Sequence, residues 1–215
     1  MTSPILDLSA TASALPKKKS LRAMQKQETL QLLLKAATHL FIRKGYAGTT
    51  IEDIASRAGA SRATFYLHFK RKWHVLRDIV EETTLAEALD FYRRLDAFEN
   101  LTREDLRQWL LDALDFSERH KKLITVHRQA QSIEPEMERH NMLFLRRCVD
   151  AMPNYLNRWG PERETYAKLR LDMLIIQLDE AARWIINDGI TISKDLVVEA
   201  LMEYWMVGLS VPDHD

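Results

Sequence analysis

The sequence predicts an all-α protein with a small N-terminal three-helix domain and a larger helical C-terminal domain. Three observations carry this. Apolar residues recur at i, i+3, i+4 and i+7 along most of the chain, and no segment shows the period-two alternation of a half-buried strand. Glycines, prolines and capping residues interrupt that pattern where helices would stop and start. Charge is also divided: residues 1–75 carry 13 Lys and Arg against 4 Asp and Glu, whereas residues 76–215 carry 18 against 27. A formal net charge of zero therefore hides a basic part joined to an acidic one, the footprint of a nucleic-acid-binding region with a non-binding remainder.

Residues 1–22 read as a disordered basic arm, rich in Ser, Thr, Ala and Pro and without a sustained period. Lys17, Lys18, Lys19 and Arg22 could follow phosphates or enter a minor groove, or could simply keep a tail in solution. Residues 23–44 predict the first long helix, with Leu30, Leu33, Leu34, Ala37, Leu40 and Phe41 on one stripe and Gly45 ending it. Thr49 and Thr50 can cap the next helix, and a hydroxyl there can also reach a phosphate. That helix, Ile51 to Ala58, places Ile51, Ile54, Ala55 and Ala58 on one face. Gly59 suits its C-terminus, because glycine adopts φ > 0 without Cβ strain. Ser61 then suits the N-cap of a helix from Arg62 to about His68, with Phe65 and Phe69 on its buried side. Two short helices joined by a Gly-containing turn make a helix-turn-helix, and residues 23–75 are expected to form one domain around it.

The outer face of the second short helix suggests what the motif reads. Arg62 and Tyr66 are four apart with Ala63 beside them, opposite Phe65 and Phe69. Arg62 lies in the first turn, where a recognition helix meets base edges. Ser61, Thr64, Tyr66 and His68 add hydroxyl and imidazole groups, and Lys70, Arg71 and Lys72 add charge beyond. A forked donor for guanine, hydroxyls for phosphates and cations beside the backbone are what duplex readout needs. The alternative is a solvated helical hairpin in a larger bundle.

These residues also carry a family resemblance. From Leu33 to Leu76 the chain resembles the tetracycline-repressor (TetR) family of bacterial regulators: Leu33-Leu34, Leu40-Phe41, Gly45-Tyr46, Thr49-Thr50, Ala58-Gly59, Ser61, Thr64-Phe65-Tyr66, His68-Phe69, Lys72 and Leu76 meet the family pattern. The resemblance covers about the first third of the chain. It implies an N-terminal DNA-binding domain, a C-terminal domain that dimerises through its last two helices, and a pocket for a small effector.

From Trp73 the pattern predicts a continuous helix to about residue 96, a rigid connector. Helices are expected near 102–119, 121–133, 135–159, 162–187 and 193–208, with Pro135 and Pro161 in first turns. Residues 76–215 are read as one effector-binding and dimerisation domain. The segment 171–186 is apolar on more than one side. Leu174, Leu178, Ala181 and Ile185, with Leu201, Tyr204 and Trp205 of the last helix, are expected to face a second copy of the chain. On the resemblance, an apolar effector is expected among Trp109, Phe116, His127, Asn141, Phe144, Met173, Gln177 and Trp184, since pockets are mostly apolar with a few placed polar groups.

Other chemistry is weakly supported. The chain has no Gly-rich phosphate loop and no nucleophile paired with a placed His. His120 and His127 lack the further ligands a metal site needs. No cofactor or catalytic residue is expected. A single cysteine, Cys148, allows no intramolecular disulfide, and no apolar run has the length of a membrane span, so a cytoplasmic protein without membrane contact is expected. The reading is a homodimeric regulator of double-stranded DNA, a repressor of an inverted-repeat operator relieved by a small molecule. Two alternatives stand beside it: an all-α enzyme or binding module whose helix-turn-helix is purely structural, and a DNA-binding protein with no ligand.

Overall fold

The computed structural model of the protein describes residues 21–186 and 192–210, and among them every regular element is helical. Lys17, Lys18 and Lys19 of the expected arm lie outside the described residues, whereas Arg22 stands exposed in the first turn of α1 (Leu21–Lys44). The helix-turn-helix is α2 (Ile51–Arg57) and α3 (Arg62–His68). Both are too short to be stable alone, so their caps matter. Thr50 and Asp53 form a reciprocal capping box: the Asp53 N–H donates to Thr50 Oγ1 at 3.0 Å and the Thr50 N–H to Asp53 Oδ2 at 3.1 Å. Ser61 Oγ accepts from the Thr64 N–H at 3.0 Å. Gly59, at φ +66°, makes the turn between the two helices.

The connector is helical without a break from Lys72 to Asp96, as expected, but it carries a π-helical turn inside it. It runs as α4 (Lys72–Val80), a π-helical turn at Glu81–Leu85, and α5 (Ala86–Asp96). In that turn Thr84 Oγ1 donates back to the Val80 carbonyl at 2.7 Å, a competition with the backbone ladder to which buried threonines are prone. Then follow α6 (Arg103–Arg119), α7 (Lys121–Gln131) and α8 (Pro135–Asp150). The helix expected to continue to residue 159 stops at Asp150 and restarts as α9 (Pro153–Asn157). Pro153 has no N–H and its ring would meet the carbonyl four residues back, so it can only begin a helix. The Asp96 carboxylate caps that restart, accepting from the Asn154 and Tyr155 N–H groups at 2.8 and 2.7 Å. A 3-10 turn at Pro161–Arg163, α10 (Glu164–Ile186) and α11 (Lys194–Leu209) complete the chain.

Two apolar cores organise these helices. The C-terminal core joins α5, α6, α8, α9, α10 and α11 around Trp109, Trp159 and Trp205. The N-terminal core is built on α1 to α4 around Phe41, Phe65 and Phe69, but it also takes in Leu123, Val126, Ala130 and Met137 from α7 and α8. The helix-turn-helix therefore rests on more of the chain than residues 23–75.

Candidate nucleic-acid interface and cavity

The recognition helix α3 divides as its spacing requires. Phe65 and Phe69 are buried, while Arg62, Ala63, Tyr66 and Leu67 are exposed and Thr64 and His68 half-buried. The Arg62 guanidinium donates to Tyr66 Oη at 3.2 Å, lies 5.6 Å from the Tyr66 ring centre, and is ion-paired with Glu52 of α2. Glu52 was not legible as its partner, because only the turn angle between α2 and α3 brings positions ten apart together. Burial and nearby Lys26 push the His68 imidazole below its ordinary pKa, so it stands neutral. Ser61, besides capping α3, shares a 2.9 Å hydroxyl contact with Thr64.

Two expected phosphate contacts are corrected. Thr49 is 1% exposed and its hydroxyl donates to the Gly45 carbonyl at 2.8 Å, so it closes the turn after α1 and cannot reach a duplex. Lys72 turns inward: its ammonium donates to the Tyr46 and Thr49 carbonyls at 2.7 and 2.8 Å and lies 4.0 Å from the Tyr46 ring centre. Burial lowers the Lys72 pKa from its ordinary value. Thr50 is exposed, but its hydroxyl is the α2 cap.

Around Tyr46 the C-terminal half grips the helix-turn-helix domain. The Tyr46 hydroxyl donates to Glu134 Oε1 at 2.8 Å, and the Tyr46 N–H donates to Gln129 Oε1 at 3.0 Å. Burial, with the Glu134 contact, raises the Tyr46 pKa far above its ordinary value. Arg71 donates to Glu136 at 2.7 Å beside them. Gly45 sits at φ +72°, and a Cβ there would come within 2.8 Å of Gln129 Oε1. No local signal in the sequence pairs positions more than eighty residues apart, so this clasp was not foreseen.

In the C-terminal half the expected effector residues separate. Phe116, His127, Asn141 and Phe144 line one cavity of about 120 Å³, together with Val80 and Thr84 at the π turn. A second hollow of about 120 Å³ shares Phe116, Ser117, Asn141, Phe144 and Asp179 with it and continues toward Tyr92, Cys148 and Leu178. The other four expected residues lie elsewhere. Trp109 is core: it stacks on Phe91 with ring centres 4.1 Å apart and donates its indole N–H to the Phe91 carbonyl at 3.0 Å. Met173 and Trp184 are exposed on α10, and half-buried Gln177 lies on the wall of neither hollow. A larger open cleft, about 370 Å³, is lined by Asp96, Phe98, Thr102 and Arg158, but its buried charge, Asp96, is already used to cap α9.

The two stripes of α10 are exchanged relative to expectation. Leu174, Leu178 and Ala181, with Leu201 and Trp205 of α11, are buried in the protomer's own core, and half-buried Ile185 packs against it. Gly208 explains the inward choice on α11: a Cβ there would sit 2.7 Å from a Leu174 methyl, so the two helices meet closely along that face. The exposed apolar stripes are Leu169, Met173, Ile176 and Trp184 on α10, and Leu196, Tyr204 and Val207 on α11. Of the expected dimerisation set, Tyr204 alone lies on this outer face.

Among the described residues no cluster of His, Cys, Asp and Glu could hold a metal ion, and no helix is long and apolar enough to cross a membrane. Comparison with known proteins decides what the α2–α3 surface belongs to. The profile described as bacterial regulatory proteins, tetR family, matches residues 33–79, from the α1 core stripe to the end of the α4 packing face. Over that stretch the chain is similar to the tetR family. It is similar to the HTH-type transcriptional activator FasR of Mycolicibacterium smegmatis, 26% identical over 180 residues that cover 83% of this chain and 81% of that protein. It is 40% identical over 65 residues to the uncharacterised regulator YerO of Bacillus subtilis, of which it covers only 19%. Its fold is similar to that of NalD, the secondary repressor of the MexAB-OprM multidrug efflux pump in Pseudomonas aeruginosa, with a TM-score of 0.55, 20% identity, and 85% of this chain and 97% of that one covered. With these relatives the chain is a DNA-binding transcriptional regulator of the helix-turn-helix type.

Proposed function

We propose that this protein is a homodimeric repressor of the tetR family that reads an inverted-repeat operator with α3 and is relieved by a small apolar effector. The observation that carries the DNA reading is the outer face of α3: Arg62 and Tyr66 exposed in register above a buried Phe65 and Phe69. Arg62 reads a base, exchanging its Glu52 partner for a guanine edge, and Thr50, Ser61, Thr64, Tyr66 and His68 place the backbone. Lys17, Lys18, Lys19 and Arg22 add salt-dependent affinity. Two copies meet through the outer stripes of α10 and α11, an exposed apolar area larger than isolated surface residues require.

Relief runs through two routes. The cavity touches Val80 and Thr84, beside and within the π turn of the connector, and it touches α7 and α8, next to the Gln129 and Glu134 side chains that hold Tyr46. An effector that prefers a cavity shape incompatible with the DNA-bound spacing of the two α3 helices shifts the population away from DNA, and DNA weakens the effector by the same factor. The sign of regulation is set at the promoter, and FasR is named an activator. The test is selection from a random duplex pool with the full-length protein, sedimentation of the free protein and its complex, and transcription from a template carrying the selected site. An inverted repeat bound by a dimer, with lower transcription, is expected. A single half-site bound by a monomer, or raised transcription, contradicts the reading.

A further inference from the structure

The hydrogen bonds of the cavity wall separate its polar groups into two kinds. Most have partners within the protein. Thr84 donates to the Val80 carbonyl at 2.7 Å, Ser117 to the Ala113 carbonyl at 3.2 Å, and the Gln131 amide to Glu138 at 3.1 Å. The titratable groups beside them are matched as well. Arg128 donates to the Asp179 carboxylate at 2.7 Å and to its carbonyl at 3.0 Å, and the His140 ring lies 3.2 Å from the Glu81 carboxylate. Two lining groups make no hydrogen bond with any described residue: the His127 imidazole and the Asn141 carboxamide. Buried polar groups in folded proteins are normally paired, and a few unpaired ones on an apolar wall are what orients a ligand.

The charge balance selects among ligands. An ionised headgroup brought out of water needs an opposite charge beside it, or its desolvation is uncompensated. Here Arg128 and His140 are each already committed to a carboxylate. Burial, with His140 and Arg128 nearby, holds His127 down to about 4, so at neutral pH it offers a neutral ring with one N–H and one lone pair. Asn141 adds two donors and an acceptor without charge. Phe116 and Phe144 flank both hollows, and aromatic walls favour flat apolar bodies.

We propose that the cavity takes an uncharged, largely apolar ring compound bearing one hydroxyl or carbonyl group, which His127 and Asn141 hydrogen-bond while its rings lie against Phe116 and Phe144. This rests on the effector reading above and names the chemistry of the effector. Its geometry spans both hollows, since Asn141, Phe116 and Phe144 form their common wall.

Three matched probes test it with the full-length protein at pH 7.5: 2-naphthol, naphthalene and 2-naphthoate, followed by calorimetry and tryptophan fluorescence. The naphthol is expected to bind at least tenfold more tightly than the naphthoate and several-fold more tightly than naphthalene. Asn141→Leu should lower naphthol affinity about fivefold, the worth of one net hydrogen bond, and leave naphthalene unchanged or tighter. Because Asn141 makes no internal hydrogen bond, the variant should melt within a few degrees of the wild type. Naphthoate binding as tightly as the naphthol, equal losses of naphthol and naphthalene in Asn141→Leu, or no binding of any probe, would each overturn the proposal. Titration of the selected duplex in the same samples separates it from the relief reading. Naphthol bound with duplex affinity unchanged refutes relief but not the ligand chemistry. No naphthol bound, with duplex affinity intact, refutes the chemistry alone.

Discussion

The two halves of the molecule are held in place by different physics. In the DNA-facing head, α2 and α3 have seven residues each, and their positions depend on end groups: the Thr50–Asp53 box, Ser61, and glycines at φ > 0. In the body, α6, α8, α10 and α11 have 16 to 23 residues and depend on buried area, with three tryptophans, Trp109, Trp159 and Trp205, in one core. The head thereby presents a surface set by local caps and turns. The body keeps an incompletely filled, incompletely bonded cavity. The clasp at Tyr46 is where the two kinds of anchoring meet.

The largest effects are expected at the buried anchors of each half. Phe65→Ala in the head and Trp205→Ala in the body should each cost about 3–5 kcal/mol in urea unfolding at fixed protein concentration. Trp184→Ala, on the outer stripe, should cost the protomer less than about 1 kcal/mol while lowering the concentration stability of the dimer. A loss at Trp184 as large as at Trp205 would return the inward role to the outer stripe.

Acid should act on the body through His127. Its imidazole is faced by His140 and Arg128, with Asp179 and Glu81 paired to those two, and it is held near 4 rather than the ordinary 6.5. The unfolded chain takes up a proton there below about pH 6.5 and the native state does not, so the native state loses stability as pH falls from 6.5 toward 4. The shift corresponds to a loss on the order of 3 kcal/mol at the acid end. His127→Gln should remove that part of the pH dependence, measured as urea midpoints at pH 7 and pH 4.5. An unchanged pH profile would mean that the ring is not buried.

Smaller effects sharpen the role of the head. Gly45→Ala and Gly59→Ala both place a side chain at φ > 0, worth about 1–2 kcal/mol. Only Gly45→Ala also meets Gln129 Oε1 at 2.8 Å, while a Cβ at Gly59 meets nothing within 4 Å. Gly45→Ala should therefore be the more costly in unfolding and should also weaken DNA binding by disturbing the clasp. Equal costs would argue against the clasp as a constraint. Thr50→Ala, which removes the α2 cap, should cost about 1 kcal/mol.

The same contrast explains what was legible in the sequence. Gly59, Ser61, Phe65 and Phe69 act over three or four residues, so their spacing sufficed to place the helix-turn-helix and its buried side. In α10 both stripes are apolar, and the choice between them depends on Gly208, in a different helix, letting α11 approach Leu174. Periodicity carries no such information. The inward turn of Lys72 depends on carbonyls at Tyr46 and Thr49, and its pattern of charge alone made it look like a phosphate contact. Pro153 did carry a local signal for the break after Asp150, one that a long apolar period concealed.

On the proposed function, the outer face of α3 reads sequence through Arg62. Fluorescence anisotropy of the wild type and of Arg62→Ala, against the selected duplex and a scrambled one across a salt series, tests it most directly. The wild type should prefer the selected duplex, and Arg62→Ala should lose about 1–3 kcal/mol on it, with relaxed preference at one base pair per half-site and little change on the scrambled duplex. Equal losses on both duplexes, with a shallower salt slope, would make Arg62 a phosphate contact and contradict the claim.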